Sequence, residues 1–168
     1  MDEERTAQAV EALKSGMERE TALFTRLVAD MDRLQDSFQA RQWTQSLTIA
    51  QDFENAARDI EEADRARDAT YESLKLSLGA SAQAPFSSIL FSVPADLRNG
   101  LAESWRNLRT SVFRLKMATG RVRYATQTMA EALNRILEGV FPHRRGKIYT
   151  RHGTSTPVVG SLLVDREM

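Results

Sequence analysis

The sequence predicts an all-α fold: an elongated antiparallel bundle of three long helices, coiled-coil in character, followed by an irregular C-terminal tail. Three observations carry this. The last long stretch holds a sevenfold ladder, with Trp105, Val112, Thr119, Thr126, Leu133 and Val140 on one seam and Leu101, Leu108, Leu115, Val122, Met129 and Ile136 on the other. Ten of these twelve positions are apolar, and the exceptions are threonines. A second ladder opens the chain, and a Gly/Pro break separates the two halves. Strict sevenfold recurrence with three-four spacing is the pattern of helices packed lengthwise against one another.

The first helix is expected over 3–39. Val10, Met17, Phe24, Met31 and Phe38 form one seam and Leu13, Leu27 and Leu34 most of the other. Glu20 interrupts the second seam. Its carboxylate is expected to snorkel to the edge, the alternative being an arginine partner that sets register. The pattern slips over residues 39–42, where no Gly or Pro forces a turn. A second helix then runs over 44–78, with Phe53, Ala57, Ile60, Tyr71, Leu74 and Leu78 on one face. Asp64 and Arg67 fall on the same stripe, as an ion pair that fixes register at the bundle margin.

Residues 78–85 are the one clear break of the first half. Gly79 suits a position just past a helix end, and Pro85 cannot continue a helix. Residues 86–91 are long enough for a single turn over the end of the bundle. Pro94, with Ser92 as its candidate cap, then opens the last helix, over 94–140. At 1.5 Å per residue that helix is roughly 70 Å long and leaves little concave interior. The organisation is a helical bundle domain over 1–141 and an extended tail over 142–168. The tail's apolar residues come in bursts without helical period.

Composition narrows the function. With 168 residues the chain suits one domain, and no cysteine is present for disulfides or thiolate metal sites. No run approaches a membrane span and no apolar signal core opens the chain, so a cytoplasmic protein with no integral membrane segment is expected. The net charge of zero hides a separation: residues 1–78 hold 17 acids and 10 bases, and residues 79–168 hold 6 acids and 13 bases. Acidic early helices packed beside a basic late one account for this. The arginines lack an aromatic stacking platform, which argues against nucleic acid.

Candidate chemistry is sparse. His143 and His152 are flanked by arginines, a poor setting for a metal. Arg145-Gly146-Lys147 lacks the earlier glycine and the Ser/Thr of a phosphate loop. No catalytic constellation, metal site or cofactor is expected, and the protein reads as a binding or structural molecule rather than an enzyme. One feature stands out. Phe113, Met117, Gly120 and Tyr124 recur at four-three-four spacing on the back of the last helix. This apolar strip needs covering, by the tail or by a partner. The candidate partner-binding residues are therefore Phe113, Met117 and Tyr124 on the strip, with Ile148, Tyr149, Val158, Val159, Leu162 and Leu163 in the tail.

Taken in order, these features resemble the FlgN family of flagellar type III export chaperones. The likeness runs through Leu13, Glu20, Leu23, Leu27 and Leu34, then Ile60, Asp64-Arg65-Ala66-Arg67 and Leu74-Leu76-Leu78-Gly79. It ends on a long last helix followed by Ile148-Tyr149-Thr150-Arg151-His152-Gly153, a Tyr-x-x-x-Gly element characteristic of the family. Where the family usually carries an Asn near the middle of that helix, this chain has Tyr124. The resemblance implies a cytoplasmic, non-enzymatic chaperone. Such a protein binds the C-terminal helices of hook–filament junction proteins, prevents their premature assembly and delivers them to the export apparatus. Another flagellar chaperone, a stalk-like export component and a self-assembling structural coiled coil are the alternatives.

Overall fold

The computed structural model describes residues 2–140, 147–149 and 155–157, with side-chain surroundings over 4–139. The protein is all-α: α1 (Asp2–Gln39), α2 (Trp43–Ser77), the short α3 (Phe86–Ser92) and α4 (Ala95–Val140). No helix among the described residues is long and apolar enough to cross a membrane. Residues 1–123 form one compact unit and residues 124–168 a second, with the division falling inside α4.

Both helix ends in the first half close by the same device. After α1, the Arg41 N–H bonds the Phe38 carbonyl and the Gln42 N–H bonds that of Ser37. After α2, Gly79 bonds Leu76 and Ala80 bonds Lys75 in the same pattern. Each is a Schellman closure, which places one residue in the left-handed region. At the second end that residue is Gly79, with φ 61°. At the first it is Arg41, with φ 58°. An arginine in a position that favours glycine is why the sequence shows no turn signal there.

α1 and α2 are antiparallel neighbours within the first unit, joined across their adjacent ends by a 2.7 Å hydrogen bond between the Ser37 and Ser46 hydroxyls. α4 runs in the same direction as α1. Ser104 meets Glu18, Thr119 meets Met31 and Arg121 meets Asp32. Of the two acidic helices it is therefore α2 that lies antiparallel to α4. The core gathers Val10, Leu13, Met17 and Phe24 of α1, Leu74 of α2, Ile89 of α3, and Leu101 and Leu108 of α4. α3 has a full apolar anchor, since Ile89 is completely buried. Its Phe86 ring stacks on Trp105 at 4.5 Å between centroids and lies 6.1 Å from Tyr71. Ser92 does not cap α4, because its hydroxyl donates back to the Ser88 carbonyl. The Pro94 carbonyl instead accepts the N–H groups of Leu97 and Arg98 and starts the helix.

The seam of α4 is turned by one residue from the sequence reading. Leu101 and Leu108 are buried as expected, but the other row is Ser104, Ser111 and Ala118. Trp105 and Val112 flank that row half-buried, and Thr119 is exposed. Small residues along a seam let two backbones approach closely, and the Ser111 hydroxyl is satisfied within its own helix by the Leu108 carbonyl. α2 buries less of its expected face: Leu74 is buried, Phe53, Ile60, Tyr71 and Leu78 are half-buried, and Ala57 is exposed.

In the second unit, α4 continues to Val140 with Leu133, Ile136 and Leu137 more than half exposed. Beyond it, β1 (Lys147–Tyr149) pairs antiparallel with β2 (Ser155–Pro157), with Ile148 opposite Thr156.

Candidate functional site

Glu20, Arg67 and Asp64 form a charged layer inside the first unit. Glu20 sits in the apolar seam of α1 and is only 4% exposed. It does not snorkel: Arg67 Nε donates to Glu20 Oε2 at 2.6 Å. The arginine also bonds Asp64 and reaches Asp68 Oδ1 at 2.9 Å. Burial alone would lower the Arg67 pKa, but the hydrogen bond and charge of Glu20, helped by Asp68 and Asp64, raise it above its ordinary value. The guanidinium therefore stays charged at every pH of interest. Opposite this layer, Gly16 brings the α1 backbone close to α2, its absent Cβ facing the Arg67 Cα at 3.6 Å.

Above the layer an open groove of about 520 Å³ lies between α2 and α4. Its α4 wall is apolar, made by Trp105, Leu108, Val112 and Phe113, and its α4 rim is basic, made by Arg109 and Lys116. Asp64, half-exposed, stands on the α2 side beside Arg67. What the groove offers a partner is apolar surface beside fixed positive charge, in the size range of ligand clefts.

Of the candidate partner-binding residues whose side chains are described, Phe113 alone lines this groove. Phe113 and Met117 are 64% and 53% exposed, so the described part of the first unit leaves them bare. Gly120 between the strip residues is exposed, with open space where a Cβ would stand. In the second unit Tyr124 is exposed as well. Ile148 and Tyr149 lie in β1, their backbones opposite Thr156 and Ser155. Their side chains, and Val158, Val159, Leu162 and Leu163, lie outside the described residues.

The groove residues that sequence reasoning missed had been spent on the seam. Trp105 and Val112 look like core in a heptad count, and Arg109 and Lys116 look like ordinary surface. The signal that finds them is the recurrence of cations at 109, 116 and 123, one heptad apart, beside an apolar row. At the top of the unit, Lys75 is buried with its ammonium 2.9 Å from the Ala82 carbonyl and 4.7 Å from the Tyr71 ring centroid, holding the loop after α2 in place. Among the described residues no group of carboxylates and histidines is placed to hold a metal. Compared with known proteins, the chain matches no family model, no curated protein and no solved structure.

Proposed function

We propose that this protein is a cytoplasmic export chaperone of the FlgN type, built as an elongated three-helix bundle, with hook–filament junction proteins as clients and the export apparatus as the receiver. The resemblance suggests the client class. The observation that supports a binding role is the bare apolar pair Phe113 and Met117 on the outer side of α4, a helix whose opposite side is buried in the core. A client's amphipathic C-terminal helix has an apolar stripe that self-assembles when left free. A helical bundle can cover such a stripe by accepting one more helix. The tail residues from Ile148 onward are proposed to close over that helix.

Co-expression with candidate junction proteins tests this reading. A soluble complex is expected, and Met117→Asp is expected to weaken it. A chain ending at Pro142 should keep its helical signal yet bind the client about tenfold or more weakly, near 1.4 kcal/mol. Junction proteins that remain insoluble in the presence of the intact chain would remove the chaperone reading.

A second reading has its own support. Leu133, Ile136 and Leu137 are exposed on the last turns of α4. A structural coiled coil would pair such a stripe with a second copy. Sedimentation of the intact chain separates the two, because a concentration-dependent oligomer abolished by Leu133→Asp favours self-assembly.

A further inference from the structure

Between residues 104 and 130, α4 carries six cations and no anion. Arg121 is engaged by Asp32 across the interface with α1. Arg109 and Lys116 are different. Both are exposed, both stand on the rim of the groove, and neither pairs with a carboxylate among the described residues. The groove's remaining cation, Arg67, is consumed by Glu20, Asp64 and Asp68. The α4 rim thus holds two uncompensated positive charges beside an apolar wall.

Their spacing restricts what fits. Arg109 and Lys116 are seven residues apart, two turns of helix, which sets them roughly 10 Å apart on one side of the axis. A helix laid lengthwise along α4 presents residues at the same interval, and charges flanking an apolar seam choose partners by opposite sign. The α2 side carries Asp64, about half exposed, so it repels rather than receives a carboxylate. Acids therefore belong on one flank of the partner only.

We infer that the groove between α2 and α4 receives an amphipathic helix whose apolar seam is bordered, on its α4 side alone, by carboxylates at seven-residue spacing. This rests on the chaperone reading only for the identity of the client, whose chemistry it specifies. One-sided charge also fixes the direction in which the helix lies, because reversing it carries the acids to Asp64. Nucleic acid fits less well. Trp105 is already stacked on Phe86 and is not free to stack on a base, and Asp64 opposes phosphates.

The test uses the intact chain and labelled three-heptad peptides with a leucine seam. One peptide carries glutamates along a single flank, a second glutamines there, and a third lysines. Fluorescence anisotropy is expected to show the glutamate peptide binding about tenfold or more tighter than the glutamine peptide, with the preference falling as salt rises. The double variant Arg109→Glu/Lys116→Glu, both sites exposed, should lose that preference and bind the lysine peptide instead. That swap shows that the variant remains folded. Equal affinity for the glutamate and glutamine peptides overturns the inference. So does a charge-reversal effect confined to a single-stranded oligonucleotide, to phosphatidylserine vesicles or to self-association, with the peptides indistinguishable. Junction proteins are measured in parallel. If they bind neither the intact chain nor the variant while the peptide swap holds, the chaperone reading falls and the groove assignment stands. If they bind both proteins equally and the peptides show no preference, the groove assignment falls and the chaperone reading stands.

Discussion

Removing Arg67 strands a buried carboxylate, and the size of the damage follows from the surroundings of Glu20. The Glu20 side chain is 5% exposed, and Arg67 is its one ion-pair partner among the described residues. Breaking a buried pair from one side costs about 3–5 kcal/mol, because the remaining charge has neither partner nor water. Arg67 is 19% exposed at the groove floor, so water can partly replace it, and the lower end of that range, about 3 kcal/mol, is expected for Arg67→Leu. Glu20→Leu should cost less, about 1–2 kcal/mol, since Arg67 keeps Asp64 and Asp68. The double variant Glu20→Leu/Arg67→Leu should recover most of the loss, as apolar replacements of buried pairs commonly do. Urea unfolding followed by circular dichroism gives all three values, and about 3 kcal/mol corresponds to a fall in melting temperature of about 6–12 °C. Single losses that are both small and simply add in the double variant would refute the reasoning. The pair would then contribute no coupling, and the register of α1 on α2 would rest on the apolar contacts and the Ser37–Ser46 hydrogen bond.

Three further outcomes follow from the geometry. Ala118 is completely buried in the seam of α4, so Ala118→Leu should destabilise by about 1–3 kcal/mol through overpacking, while Met117→Leu beside it should change little in the same unfolding assay. Arg41 and Gly79 share a left-handed backbone, so Arg41→Gly should stabilise by up to about 1 kcal/mol and Gly79→Ala should destabilise by about 1 kcal/mol, both read as urea midpoints. The Tyr71 phenol is pushed above 10.0, by burial first, with Lys75 opposing and Glu72 adding. Its folded value is the higher one, so the stability it contributes is present below the unfolded value and lost as pH rises through the folded value. Stability measured across alkaline pH should therefore fall, and Tyr71→Phe should flatten part of that fall.

The site was less legible than the helices. Phe113 was visible as an apolar residue off the main seam, and the structure places it both on the bare outer strip and on the groove wall. Arg109 and Lys116 carry only their heptad recurrence as a mark, and a cation on a helix is usually solvated. Only the fold shows that neither pairs with a carboxylate among the described residues while Arg67 has three. Glu20 is the reverse case. Read alone, a glutamate in a seam is expected to reach the edge, and the partner that holds it inside lies 47 residues away in the chain.

Helix identity and extent were determined by the sequence itself. The sevenfold apolar rows, Gly79, Pro85 and Pro94 are local signals, and local hydrogen bonding answers to them without reference to any neighbour. α1, α2 and α4 accordingly begin and end within a residue or so of the expected limits. Which row of α4 faces inward was decided only by tertiary packing. A periodicity count weighs Trp105 and Val112 above Ser104 and Ser111 because it scores the transfer of a side chain from water. Close packing scores the distance between backbones, and small side chains win that comparison wherever their hydroxyls find a carbonyl in the same helix, as Ser111 does with Leu108. The turn of the seam places Trp105 and Val112 at the groove. That groove exists because two helices meet there, a fact no single stretch of sequence contains.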